Sequence, residues 1–162
     1  MSDWYQGTYE IQNTSKYLGV KPPYFRSSWE RRFMYWCDHN PNVLKWSSEA
    51  IKIPYVISEG GYCKTHNYIP DFYMEVKTKT GEIKKFIVEV KPYDQGPIDQ
   101  HDGKGVYVPK PPKNKTQKAL KRFYLEQKTY KKNALKWNAA KLYCQVHNIE
   151  FMVITKKDLL NL

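Results

Sequence analysis

Two strand-like runs, at residues 68–77 and 84–91, flank a short turn sequence at 78–81 and constrain the fold more than any other segment. Both runs are rich in aromatic and β-branched residues and the turn ends in glycine, so they should pair as an antiparallel hairpin. A helical pattern follows over about 116–147, and then an apolar run at 150–154. Because a strand, a helix and a strand in this order permit a parallel crossover, we predict an α/β fold with a mixed β-sheet flanked by helices. The sequence leaves open whether the helical segment is one helix or two.

A further helix is predicted upstream, over residues 27–37, because Phe33 and Trp36 recur at helical spacing within it. Ser27 can cap its first turn, and Glu30 stands three residues later, which is the spacing of a capping box. An Asn-Pro-Asn sequence then ends the helix.

The remaining chain divides into one strand and two irregular segments. Residues 51–57 alternate apolar with other residues and predict a half-buried strand, which a proline places at a sheet edge. Residues 1–25 are interpreted as an irregular N-terminal arm, and residues 92–116, with five prolines and three glycines, as a basic, proline-rich loop. A chain of 162 residues is enough for one compact domain, so residues 1–162 are predicted to fold as a single unit.

The charged residues of the hairpin indicate a chemistry. Pro70-Asp71 stands near the start of the first run, and the second run ends in Glu89-Val90-Lys91. Strand alternation puts the side chains of Glu89 and Lys91 on one face, and strand pairing can bring Asp71 opposite them. Two carboxylates and the backbone carbonyl of Val90 could hold a Mg²⁺ ion, while Lys91 could position water or neutralise charge on a phosphate. The alternative is a solvent-facing ion pair without a catalytic role.

Two other carboxylates, Glu30 and Glu75, stand near the motif in the predicted fold. Glu30 could reach the metal from the predicted helix, or it could serve only as the partner of Ser27 in the cap. Glu75 lies on the strand face of Asp71 but toward the turn, so it is not a candidate.

The formal charge of +11 favours a polyanionic partner, above all nucleic acid. The stretch 104–141 holds 12 Lys and Arg against a single acid, Glu126. We expect this stretch to contact the phosphates of double-stranded DNA with little sequence specificity. The candidate side chains follow the motif strand in the sequence: Lys110, Lys113, Lys115, Lys118, Lys121 and Arg122. A basic structural protein or a small RNA-binding protein would carry a similar charge.

The three cysteines, at positions 37, 63 and 144, are odd in number and widely spaced, which predicts free thiols and a reducing cytoplasm. Cys63 and His66 have the spacing of half a zinc site, but no matching second pair follows, so zinc is disfavoured. No run approaches the length of a membrane span and the N-terminus lacks a signal pattern, so an intracellular protein without membrane contact is expected.

Six collinear blocks that span most of the chain carry a family resemblance: residues 24–30, 43–49, 66–72, 88–92, 133–140 and 151–155. These blocks resemble the head-completion nucleases of T-even-type tailed phages. More remotely, the chain is similar to the nuclease subunit of heteromeric transposases, another enzyme with the PD-(D/E)-x-K motif.

This resemblance implies a restriction-endonuclease-like core and Mg²⁺-dependent DNA cleavage, with Mn²⁺ able to substitute. It implies action late in head assembly, after DNA packaging, with head or portal proteins as partners, in the host cytoplasm or in the virion. Carried onto this chain, the catalytic positions are Glu30, Asp71, Glu89 and Lys91. One departure is an acidic stretch after the motif lysine, where a lysine-rich run is expected. The rival function is a non-enzymatic basic protein that binds packaged DNA ends or plugs the portal, and the oligomeric state stays open.

Overall fold

A computed structural model describes residues 5–91 and 109–160 of the chain. At its centre is a four-stranded sheet. In spatial order its strands are β3 (Val43–Ser48), β6 (Phe72–Lys77), β7 (Ile83–Lys91) and β8 (Glu150–Thr155). The first two pairings are antiparallel, and β7 and β8 run parallel. The predicted hairpin and the predicted parallel crossover are therefore confirmed.

Within residues 5–91 and 109–160, three helices flank the strands: α1 (Ser28–His39), α2 (Gln117–His147) and α3 (Lys156–Leu160). The segment that follows the hairpin forms one helix of 31 residues, so the question of one helix or two is answered. It begins at Thr116, whose side chain accepts a hydrogen bond from Ala119 N–H, and ends at Asn148 in the left-handed conformation, with φ 54°. No helix in the described part of the chain has the length and apolar character needed to cross a membrane.

One face of the sheet is covered by α1 and α3. Phe33 and Met34 of α1 and Leu159 of α3 are fully buried, and they join a cluster with Phe72 and Val88 of the sheet. The predicted helix over 27–37 is confirmed, and its apolar stripe contributes to this core. These contacts fix the position of the first turn of α1 relative to β6 and β7.

The opposite face carries α2 and a separate two-stranded ribbon of β4 (Ile53–Glu59) and β5 (Tyr62–Tyr68). Its core includes Tyr55, Ile87, Ala140 and Cys144. The strand predicted at 51–57 is confirmed, and β5 is its antiparallel partner. Gly60 and Gly61 connect the two strands with φ values of 60° and 83°, which suit the two-residue turns of β-hairpins.

The structure corrects the predicted strands in two places. The predicted strand at 68–77 is divided, because Tyr68 ends β5 and Phe72 begins β6. Pro70 stands between them and has no N–H to donate to a sheet. Strand β3 escaped prediction, since a register irregularity between Val43 and Lys45 interrupts the alternation that sequence patterns detect.

The N-terminal segment is mostly irregular, with two-residue strands β1 (Gly7–Thr8) and β2 (Tyr24–Phe25), but it is packed on the domain. Tyr9 and Phe25 are buried in the core. The Asp38 carboxylate at the end of α1 accepts hydrogen bonds from the Tyr9 hydroxyl and from two backbone N–H groups of the segment. Of the predicted loop at 92–116, residues 92–108 lie outside the described part of the chain.

Candidate active site

The Asp71 side chain is held at the end of β7 by a backbone hydrogen bond. Asp71 directly precedes β6, and its Oδ2 accepts a 2.7 Å bond from Val90 N–H. Its own carbonyl accepts a bond from Glu49 N–H at 3.0 Å. The pairing of Phe72 with Val88 brings the start of one strand beside the end of the other. The sequence motif is therefore assembled by the ordinary geometry of an antiparallel hairpin.

Glu89 is a buried carboxylate, with 4% of its surface exposed, and both of its oxygens have a partner. Its Oε1 lies 2.7 Å from Nζ of Lys91, and its Oε2 accepts a 2.7 Å hydrogen bond from the hydroxyl of Tyr68. The expected placement of Glu89 and Lys91 on one face is confirmed. Since Tyr68 is the last residue of β5, the β4–β5 ribbon also helps to orient the Glu89 carboxylate.

The Asp71 carboxylate lies in an unfavourable environment for a negative charge. Burial and the neighbouring charge of Glu89 raise its pKa to about 8 from a usual value of 3.8, and Glu30 adds a smaller effect in the same direction. The hydrogen bond from Val90 and the charge of Lys91 oppose this change. Two carboxylates that repel each other in a partly dry site are the arrangement that a bound cation relieves.

Lys91 stays a cation in this setting. Burial by itself disfavours its charge, but the carboxylates of Glu89, Asp71 and Glu30 outweigh that effect and raise the pKa of Lys91. A lysine that holds its proton is suited to neutralising charge or to positioning water, and poorly suited to removing a proton.

Glu30 makes the bonds of a helix cap. Its N–H donates to Ser27 Oγ at 3.2 Å, and its carboxylate accepts from the Ser27 hydroxyl and from Arg26 N–H, each at 2.9 Å. The capping prediction is confirmed, although the backbone donor is Arg26. Among the described residues, no group of three or more His, Cys, Asp or Glu side chains is placed to hold a metal ion.

The donor set nevertheless fits a hard divalent cation. Asp71 and Glu89 supply two carboxylates, and burial together with the charge of Glu89 raises the pKa of Asp71. Val90, between Glu89 and Lys91, could supply a backbone carbonyl from the same strand end. Oxygen ligands of this kind are those that Mg²⁺ prefers, with waters completing the shell.

Two residues at the site were missed by the sequence analysis. Tyr68 was assigned only to a strand, yet it hydrogen-bonds Glu89. Lys136 of α2 was counted only within the basic stretch, yet its Nζ lies 5.4 Å from the centroid of the Tyr68 ring. No local sequence signal identifies either residue, because each reaches the site from an element that packs against the sheet.

The predicted DNA-binding side chains are exposed. Lys110, Lys113 and Lys115 precede α2, whereas Lys118, Lys121 and Arg122 lie in its first two turns. At a rise of about 1.5 Å per residue, those turns lie roughly 20–27 Å along the helix from Lys136. Arg122 also pairs with Glu126 at 2.8 Å.

The family model for the N-terminal domain of TnsA-like endonucleases matches residues 40–156 of this chain. The chain belongs to the TnsA-like endonuclease family. The matched range contains Asp71, Glu89 and Lys91 and excludes Glu30. As a TnsA-like endonuclease it has a restriction-endonuclease-like fold, as the sequence resemblance implied.

The chain is also 31% identical to the head completion nuclease of Enterobacteria phage T4 over 156 residues, which cover 96% of this chain and 93% of that protein. The resemblance to phage head-completion nucleases is therefore confirmed. So is the remoter similarity to transposase nucleases, through the TnsA-like family. This TnsA-like endonuclease is thus similar to a phage nuclease over nearly its whole length.

Proposed function

We propose that this protein is a DNA endonuclease that uses Mg²⁺, or Mn²⁺ in its place, to hydrolyse phosphodiester bonds of double-stranded DNA. The observation that carries the proposal is the cluster of Asp71, Glu89 and Lys91, held together by bonds of 2.7 Å to Val90 N–H and within the Glu89–Lys91 pair. Membership in an endonuclease family supports the reaction class.

In this proposal Asp71, Glu89 and the carbonyl of Val90 hold the cation. A divalent ion there would supply a Lewis acid for the phosphate and a site for the attacking water. Tyr68 keeps Glu89 in one orientation through its 2.7 Å hydrogen bond. The β-strand framework keeps both carboxylates in register, so little reorganisation is needed when the substrate arrives.

Lys91 has an electrostatic and positioning role in the proposed reaction. Its raised pKa keeps it protonated near neutral pH, so it can donate hydrogen bonds to water or to a phosphate oxygen. Glu30 is proposed as a further catalytic position, approaching from α1, because its charge already influences both Asp71 and Lys91.

The proposed setting is phage head completion after DNA packaging, in the host cytoplasm or in the virion, with head or portal proteins as partners. The support is the similarity to a protein named head completion nuclease over nearly the whole chain. The exposed cations at residues 110–122 would attract the DNA backbone without reading its sequence.

The test is cleavage of supercoiled plasmid by the purified protein with Mg²⁺, Mn²⁺, Ca²⁺ or EDTA. Nicking or linearisation with Mg²⁺ and Mn²⁺, absent with EDTA and abolished in folded Asp71→Ala and Lys91→Ala variants, is expected. Unchanged cleavage by both variants would disprove the assigned site. DNA binding of equal strength with and without Mg²⁺, and no cleavage with any ion, would instead favour a structural protein that holds DNA ends or plugs the portal.

A further inference from the structure

We propose that Lys136 of α2, seated over the ring of Tyr68, is a phosphate-binding subsite of the cleavage centre and takes a phosphodiester of the DNA strand being cut. The inference rests on the proposed function and assigns a role to a side chain outside the motif. The Nζ of Lys136 lies 5.4 Å from the Tyr68 ring centroid, and the hydroxyl of that ring donates to Glu89. One aromatic ring therefore separates this cation from the carboxylate centre.

The Lys136 cation is partly withdrawn from water, and the carboxylates of Glu89 and Asp71 offset that cost only in part. Its side chain is half-buried, and none of the ion pairs formed within the described segments includes it. Burial lowers its pKa, and the nearby cations Lys91 and Lys132 act in the same direction, whereas Glu89 and Asp71 oppose them. A half-buried cation costs free energy that an arriving anion would offset.

The ring of Tyr68 distinguishes this lysine from a solvated one. A lysine on an exposed helix face normally extends its ammonium group into water, whereas Lys136 is held near an aromatic face that favours a cation. Its position is thereby restrained relative to Glu89. A restrained cation beside a cleavage centre contributes to orientation as well as to attraction.

A phosphodiester is the anion that suits this position. A lysine ammonium is a compact point charge that can bind one non-bridging phosphate oxygen. The exposed cations Lys118 and Lys121 lie on the same helix, several turns toward its N-terminus. DNA attracted along α2 would thus present phosphates to Lys136 as it enters the site.

The experiment compares Lys136→Met, which keeps the apolar stem, with Lys136→Arg and with a control, Lys79→Gln. Lys79 is exposed and lies beyond the end of β6 that is opposite to Asp71. Duplex binding is measured against salt in EDTA, cleavage in Mg²⁺, and thermal unfolding without DNA. The salt slope is the slope of the logarithm of the DNA-binding constant against the logarithm of the salt concentration. For Lys136→Met we expect its magnitude to fall by about 0.9. We also expect kcat/KM to fall by about 10–100-fold and the Tm to be unchanged or higher. Lys136→Arg should restore most of the binding, and Lys79→Gln should match the parent.

A parental salt slope in Lys136→Met would overturn the subsite. A lower Tm together with a parental slope would do the same, because it would assign Lys136 to packing alone. If the parent binds DNA but does not cut it whichever divalent ion is added, the proposed function fails. A reduced salt dependence of binding in Lys136→Met would still support the phosphate contact. The failures of the two proposals are therefore distinguishable.

Discussion

The backbone N–H of Val90 donates a 2.7 Å hydrogen bond to the carboxylate of Asp71. This bond joins the residue before β6 to the end of β7, and it places Asp71 beside the Glu89–Lys91 pair. The same closeness raises the pKa of Asp71, through burial and through the charge of Glu89. Strand pairing thus forces two carboxylates into a repulsive arrangement, and the consequences can be measured in stability as well as in catalysis.

The stability of the metal-free protein should depend on the charge of Asp71. Folding favours the protonated form, because burial and Glu89 raise the folded pKa above the usual 3.8. This contribution is complete below about pH 4 and is lost as the pH rises toward the raised value. We therefore expect Asp71→Asn to match the parent near pH 4 in EDTA and to be more stable at pH 8, by roughly 1–2 kcal/mol.

Thermal unfolding at the two pH values measures this difference. Mg²⁺ should raise the Tm of the parent at pH 8 and leave that of Asp71→Asn unchanged, since the variant lacks a ligand charge. Glu82→Gln, in the exposed β6–β7 turn, is the matched control and should show the same dependence on pH and on Mg²⁺ as the parent, because it retains Asp71. Equal Tm values for the parent and Asp71→Asn at pH 8 would contradict the proposed repulsion.

Lys91 should act through its charge. Because its pKa is raised, the protonated form persists through the range from pH 7 to 9, and single-turnover cleavage should show no gain from its deprotonation. Lys91→Met should lower kcat by about 10²–10³-fold, whereas Lys91→Arg should keep a measurable part of the rate. Inactivity of both variants, together with a parental rate that climbs beyond pH 10, would assign Lys91 as a general base instead.

The hydroxyl of Tyr68 should matter for activity as well as for stability. Tyr68→Phe removes the 2.7 Å bond to Glu89, which should cost about 1.5–3 kcal/mol as a bond to a charged group, and should lower kcat with little change in KM. Tyr73→Phe is the matched control, because it removes a similar 2.8 Å bond to Glu75 away from the site. Chemical denaturation measures the loss of stability in each variant, and steady-state kinetics measures the loss of activity. Equal loss of activity in both variants would mean that Tyr68 acts only through stability.

The two roles considered for Glu30 can be separated by a pair of variants. Ser27→Ala removes the N-cap acceptor of α1 and should cost about 1 kcal/mol of stability while preserving cleavage. Glu30→Gln keeps the capping spacing but removes the charge near Asp71 and Lys91, so we expect near-parental Tm and a cleavage rate lower by about 10-fold or more. Full activity in Glu30→Gln would leave Glu30 as a helix cap only.

The basic residues at the start of α2 should govern DNA affinity and its dependence on salt. Lys118→Gln combined with Lys121→Gln should reduce the salt slope by about 1.8, at roughly 0.9 per phosphate contact. Cleavage at saturating DNA should remain near the parental rate, because these residues lie about 20–27 Å from Lys136 along the helix. Binding titrations at several salt concentrations measure the slope. An unchanged slope would show that Lys118 and Lys121 do not contact DNA phosphates.

Patterns along the chain predicted α1, the strand pairing of the hairpin and the shared face of Glu89 and Lys91. Two-residue alternation in β7 put Glu89 and Lys91 together, as their 2.7 Å ion pair confirms. The spacing of Ser27 and Glu30 likewise determined the start of α1. These features depend on chain neighbours, so patterns of period two and of helical period reveal them.

The approach of Tyr68 and Lys136 to the motif residues arises from the packing of distant segments. Tyr68 ends a ribbon that sequence patterns did not separate from β6, and it bonds to Glu89 across 21 residues of chain. Lys136 arrives from a helix that packs on the opposite face of the sheet from α1. Which helical turn faces which strand end depends on how the two cores fill, and this is a property of packing between distant segments that local periodicity does not encode.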